Sequence, residues 1–154
     1  MRDHLAYLKY VARHKLYVFL ACQETDASMW RGLIHDWSKF LPSEWFAYVK
    51  TFYAPDGTKR FQENDAFQFA WNLHQKKQPH HWQFWTLLKD NGKVLSLEMP
   101  EGYVREMVAD WIGAGRVITG KREVKAWYEK SKEKMHLHPK TRALVEQILS
   151  QVRE

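Results

Sequence analysis

HLAYLKYVARHKLYVFLACQ, residues 4–23, decides the fold class. Leu5, Leu8, Val11, Ala12, Leu16, Phe19 and Leu20 recur near a 3.6-residue period, which predicts a long helix with one apolar face. The chain beyond it repeats the pattern in shorter pieces. Asp26 or Ser28 can cap a second helix running through Trp30, Leu33 and Ile34 to about Asp36. Pro42 suits the first turn of a third helix, residues 42–53, and Ala54-Pro55-Asp56-Gly57 then reads as a turn. A fourth helix is expected over 61–76, with Phe61, Ala66, Phe69, Ala70 and Leu73 on its inner side. Gln78-Pro79 ends it, and residues 80–87 begin a short new helix. Asp90-Asn91-Gly92 lies between Leu87-Leu88 and Val94-Leu95, which is a hairpin signal. Pro100 opens a helix over 101–115 carrying Met107, Val108 and Trp111, with Gly113 and Gly115 at its end. Helices over 121–134 and 140–153 follow, the last amphipathic through Leu144, Val145, Ile148 and Leu149. The expectation is a compact all-α bundle of seven or eight helices, one domain over 1–154, with at most one small β-hairpin near 87–98.

Composition agrees with an ordinary globular chain. At 154 residues it can bury a core without disulfides, and 45% hydrophobic with 27% charged residues excludes a disordered class. Cys22 stands alone in an apolar helical stretch, which points to a reducing compartment and a structural thiol rather than a nucleophile. Arg2, Asp3 and His4 interrupt any apolar leader, and no run approaches the ~20 apolar residues of a membrane span, so a cytoplasmic protein without a membrane partner is expected. A net charge of +6 favours phosphate-bearing partners, nucleotides and nucleic acids among them. The basic runs Lys121–Arg122 and Lys130–Lys134 read as solvated faces. Eight tryptophans read first as core rings, and second as a surface that stacks on bases.

The eight histidines carry the chemistry. His14 lies on the first helix, His35 directly precedes Asp36, His74 ends the fourth helix, and His80-His81 follow the Pro79 break. His4, His136 and His138 read as surface or loop residues. Imidazole nitrogens and carboxylate oxygens are good ligands for zinc, iron and manganese. An adjacent His-Asp pair reaches a common centre only where the backbone bends between the two, as it does at a helix end. A carboxylate, with two oxygens, can also bridge two ions.

The order His14, His35-Asp36, His74, His80-His81, Asp110 resembles the HD-domain superfamily of metal-dependent phosphohydrolases, and it resembles small proteins of this kind in phages and bacteria. His35-Asp36-Trp37-Ser38-Lys39 is similar to the His-Asp-x-Gly-Lys motif of the binuclear branch, with Ser38 in place of glycine. The Gly-Tyr-Pro signature of the cyclic-dinucleotide phosphodiesterases is absent. The resemblance implies a first ion on His14, His35, Asp36 and Asp110, and a second, bridged by Asp36, on His74, His80 and His81. It implies one or two divalent transition ions (Mn, Fe, Zn, Ni or Co, with Mg admitted). The reaction it implies is hydrolysis of a small phosphate ester, foremost a nucleotide, by water or hydroxide activated on the metal. Lys39 would steady a phosphate or order the doublet, Glu44 would act as an outer or acid/base group, and Arg13 or Arg31 would bind substrate phosphate. Asp36, Lys39 and Glu44 are thus the expected catalytic set. Two other functions fit the same residues: a di-iron oxygenase of the same fold, and a non-enzymatic nucleic-acid or protein-binding module in which the histidines are structural.

Overall fold

The long first helix is the spine on which the other elements pack. In the computed structural model, which describes residues 1–153, the helices are α1 (Arg2–Glu24), α2 (Met29–Ile34), α3 (Pro42–Phe52), α4 (Asp65–Lys77), α5 (Glu101–Thr119), α6 (Val124–Ser131) and α7 (Pro139–Gln151). Short 3-10 turns occupy Trp37–Phe40, Trp82–Trp85 and Lys132–Lys134, and β1 (Thr86–Leu88) pairs antiparallel with β2 (Val94–Ser96). The architecture is all-α with one small hairpin, as the sequence predicts. Among the described residues, no helix is long and apolar enough to cross a membrane.

The inward face of α1 is not the leucine stripe. Leu5, Leu8, Leu16 and Leu20 are exposed, whereas Tyr7, Val11, His14, Val18, Ala21 and Cys22 are buried. The two ends of that face serve different cores. Tyr7 and Val11 pack with Tyr48, Val49, Tyr53 and Ala70 of the α3–α4 side. Val18, Ala21 and Cys22 pack with Val104, Met107, Val108 and Ile112 of α5 and with Val145, Ile148 and Leu149 of α7. Burial pushes the Cys22 thiol up to about 11, so it stays protonated and acts as a small apolar filler.

The α1–α5 contact is close because Gly113 has no side chain. A Cβ there would sit 2.6 Å from Val18 Cγ2 and 2.8 Å from the Val18 backbone nitrogen. Gly113 and Gly115 therefore do not end α5, which continues to Thr119 and stops at Gly120 in the left-handed conformation, φ +76°.

Other expectations need correction at element ends. α4 begins at Asp65 rather than 61, because Asn64 caps it by accepting from the Phe67 amide at 3.0 Å. Phe61 lies outside the helix, and within it Ala66 and Phe69 are exposed while Phe67, Ala70, Trp71 and His74 turn inward. Replacing Asn64 with Ala should cost about 1 kcal/mol and lower Tm by about 2–4 °C in thermal unfolding. Residues 80–87 hold only the 3-10 turn at Trp82–Trp85 before β1 begins. The 121–134 helix is shorter at both ends, and Glu123 precedes its first residue. Ser28 stands at the N-cap of α2 without a side-chain hydrogen bond, and Asp26 lies in the preceding turn at φ +52°. No tryptophan is fully buried; Trp30, Trp37 and Trp127 are exposed and the rest frame the cores from outside.

Candidate metal centre

The His35–Asp36 corner is set by the backbone. His35 ends α2 with φ −47° and ψ 134°, and Asp36 follows at φ 55°, ψ 26°. Asp is one of the few side chains that tolerates this left-handed conformation. The bend turns both side chains to the same interior point. Lys15 of α1 supports the corner, donating to the Leu33 carbonyl at 3.2 Å and to the His35 carbonyl. His14 comes from α1, His74 from the last turn of α4, and Asp110 from the middle of α5. The chain reverses at Gln78-Pro79, which returns His80 and His81 to the same centre.

Four donors form one tight set. His14 Nε2 lies 3.1 Å from Asp36 Oδ2 and 3.2 Å from Asp110 Oδ1. His35 Nε2 lies 3.4 Å from Asp36 Oδ2, 3.3 Å from Asp110 Oδ1 and 3.3 Å from His14 Nε2. Donors held about 2.0–2.2 Å from one ion at tetrahedral or octahedral angles stand about 2.8–3.6 Å apart. The set has those spacings. His14 Nε2–H can donate to His35 Nε2, but a neutral His35 that gives its Nδ1–H to Glu106 also turns a bare Nε2 lone pair toward Asp36 and Asp110, a repulsion that a cation between them would relieve.

The other oxygen of Asp36 faces a second set. Asp36 Oδ1 lies 3.2 Å from His74 Nε2 and 3.5 Å from His80 Nε2, and the ligand atoms of Asp36, His74, His80 and His81 all fall within 4.8 Å of one another. These atoms are near neighbours without hydrogen-bond geometry. Asp36 Oδ1, His74 Nε2, His80 Nε2 and His81 Nε2 are all buried and none has a hydrogen-bond partner. Unpartnered buried polar atoms are rare and costly. Four of them converging on one point match the donor set of a divalent transition ion, so the residues fit such a group.

The reverse edges of the rings are held by carboxylates. Glu106 Oε1 is 3.1 Å from His35 Nδ1 and 3.2 Å from His80 Nδ1. Glu44 Oε2 is 2.9 Å from His74 Nδ1 and accepts from Ser38 Oγ at 2.9 Å, while Lys77 Nζ donates to Oε1 at 3.3 Å. Gln78 Nε2 completes the network by donating to Ser38 Oγ at 3.0 Å. Carboxylates on Nδ1–H fix the tautomer that leaves Nε2 free to bind an ion.

The electrostatics divide the rings: burial opposes charge on all of them, yet Asp36 and the neighbouring carboxylates raise His35 and His74 above an ordinary histidine, while His80 and His81 stay below it. Burial opposes ionisation of Asp36, but His35, Lys39 and His74 overturn it and hold the carboxyl well below its usual range. Asp110 is likewise held well below, by His14 and His35 against burial. Glu106, partly desolvated but bonded by His35 and His80, falls to about 2. Burial, then His80 and His74, push His81 well below an ordinary histidine, so its ring is neutral and its lone pair available. Lys39 Nζ sits 2.5 Å from Asp36 Oδ2, which raises its pKa despite burial.

The structure thus brings His14, His35, Asp36, His74, His80, His81 and Asp110 into one cluster, with Lys39 beside it. The outer candidates fall elsewhere. Glu44 is fully buried behind His74, so it orients that ring and is not placed to exchange protons with a substrate. Arg13 is exposed and outside the cluster. Arg31 is committed inward: its guanidinium lies 3.9 Å over the Tyr103 ring and Nη1 is 3.4 Å from Glu106 Oε2. Arg31 is thus engaged by Glu106 and Tyr103 rather than free for a substrate phosphate. Glu106 is the residue that sequence reading missed. Its signal is an acid four residues before Asp110, on the face of α5 that also carries the buried Ala109 and Gly113.

Over residues 3–151 the chain matches a family described as Family of unknown function (DUF5662). The chain belongs to that family. No curated protein and no solved structure matches it. The DUF5662 match takes in every residue of the cluster, including Glu106 and Glu44.

Proposed function

We propose that this DUF5662 chain is a metal-dependent phosphohydrolase acting on a small phosphate ester, foremost a nucleotide. The observation that carries the reading is the convergence of buried, unpartnered imidazole nitrogens on a shared carboxylate. The histidine–aspartate order, which resembles the HD-domain phosphohydrolases, supports the reaction class.

His14, His35 and Asp110 would hold one ion, His74, His80 and His81 another, and Asp36 both. Bound there, divalent ions (Mn, Fe, Zn, Ni or Co, with Mg admitted) would supply Lewis acidity and a water that ionises near neutral pH. The chain does the remaining work. Asp110 and Lys39, with side chains 13% and 14% exposed, are the most accessible of this set apart from His81, so they border the approach for substrate. Lys39 keeps its proton, so its ammonium is a fixed positive charge for a phosphoryl oxygen. It is not a general base. Neutral His81 and the tautomers fixed by Glu44 and Glu106 keep the ring nitrogens oriented before substrate arrives. The nearly complete burial of His14, His35, His74 and His80 keeps those rings from bulk water.

The test is phosphate release from a nucleotide panel with Mn²⁺, for the wild type and Asp36→Ala. Turnover of at least one nucleotide that falls more than 100-fold in the variant is expected. Equal turnover in both overturns the proposal. A centre that holds two irons with a mixed-valence spectrum and releases no phosphate would replace it with the oxygenase reading.

A further inference from the structure

We propose that Glu106 is a positioning residue that couples the two ion subsites, so that they load cooperatively rather than one by one. This rests on the metal-centre reading above and goes beyond it by assigning the coupling to one carboxylate. The decisive geometry is that one oxygen serves one ring from each subsite. Glu106 Oε1 lies 3.1 Å from Nδ1 of His35, whose Nε2 joins His14 and Asp110. The same oxygen lies 3.2 Å from Nδ1 of His80, whose Nε2 faces the other oxygen of Asp36. The two rings are in contact, with centroids 4.3 Å apart and planes tilted by 37°.

Glu106 is itself held. Its second oxygen is 3.4 Å from Arg31 Nη1, and Arg31 lies flat over Tyr103. Gly102 leaves room for this arrangement, since a Cβ there would be 3.2 Å from Arg31 Nε. The carboxylate therefore cannot swing to follow one ring without leaving the other. An ion that fixes His35 fixes Glu106 Oε1, and through it the tautomer and tilt of His80. The second ion then meets a ring already set, and the ordering cost is met once for both. Glu44 is the natural contrast, because it holds His74 of one subsite only.

The experiment is calorimetric titration of Mn²⁺ into chelator-stripped protein, for wild type, Glu106→Gln and Glu44→Gln, with far-UV circular dichroism to establish folding. Wild type should bind two ions with positive cooperativity. In Glu106→Gln both affinities should fall by about 10–100-fold and the cooperativity should vanish. In Glu44→Gln one affinity should fall and the other hold. An NMR measurement independent of the ion closes the test: the Nδ1–H protons of His35 and His80 should shift together in Glu106→Gln while that of His74 stays. Should wild type bind no ion, the metal-centre reading fails, and the coupling with it. Two ions bound by wild type with only one weakened in Glu106→Gln, or both weakened equally in Glu44→Gln, overturn the coupling alone.

Discussion

Removing the ions with a chelator should lower the melting temperature by about 5–10 °C, and Asp36→Asn should abolish that response. The expected size follows from linkage. An ion present at a hundred times its Kd stabilises the native state by about 2.7 kcal/mol, and each kcal/mol moves Tm by about 2–4 °C in a domain of this size. Asp36 is the right residue to change because its two oxygens face both donor sets, Oδ2 toward His14 and His35 and Oδ1 toward His74 and His80. Asn keeps the volume and tolerates the left-handed backbone at φ 55°, so the fold survives while the charge shared between the subsites is lost. Elemental analysis should find the variant free of transition ions. A variant that still melts higher with Mn²⁺ than with chelator would show that the ions bind elsewhere.

Gly113→Val should be the most damaging change outside the cluster. The new side chain would meet the Val18 backbone nitrogen, which cannot turn away as a side chain can, so α1 and α5 must part. Overpacking of this kind costs about 1–3 kcal/mol, and Tm should fall by about 2–12 °C. The ligands should suffer too. Val18 is one turn beyond His14 and Gly113 nearly one turn beyond Asp110, so separating the helices lengthens the 3.2 Å approach of His14 to Asp110. Ion affinity should drop together with stability. Gly115→Ala is the control, because a Cβ there has its nearest neighbour 4.0 Å away and alanine favours the helix by roughly 0.5–1 kcal/mol. If both variants melt alike, close packing at Gly113 is not what joins α1 to α5.

The clustered residues are more legible in the sequence than the helix faces, for a physical reason. His14, His35, Asp36, His74, His80, His81 and Asp110 are rare residue types in a readable order, and each is brought to one centre. The leucines of α1 are common and strongly periodic, yet Leu5, Leu8, Leu16 and Leu20 point outward. The true inward face had to include a polar side chain, His14, and to fit Val18 against Gly113, so hydrophobicity alone gives the wrong phase. Helix α4 fails similarly, since its Asn64 cap lies inside what looks like an apolar helix beginning at Phe61. Glu106 was hidden because a mid-helix glutamate ordinarily faces solvent; only its placement one turn before Asp110 on a buried face reveals it. Ser38 stands where the similar motif has glycine, and the structure shows its use, since its hydroxyl joins Glu44, His74 and Gln78.

The cluster draws its donors from α1, the α2 corner, α4, the segment before Trp82–Trp85, and α5. Ions held there would lace together segments far apart in the chain. The turn between β1 and β2, with Lys89 and Lys93 exposed at its flanks, lies between His81 and Asp110. A protease that cut this turn would leave one fragment with His14 through His81 and the other with Glu106 and Asp110. Ions would add a second clasp to the α1–α5 core that already joins the two halves, so the nicked protein should come apart at a lower temperature once a chelator removes them.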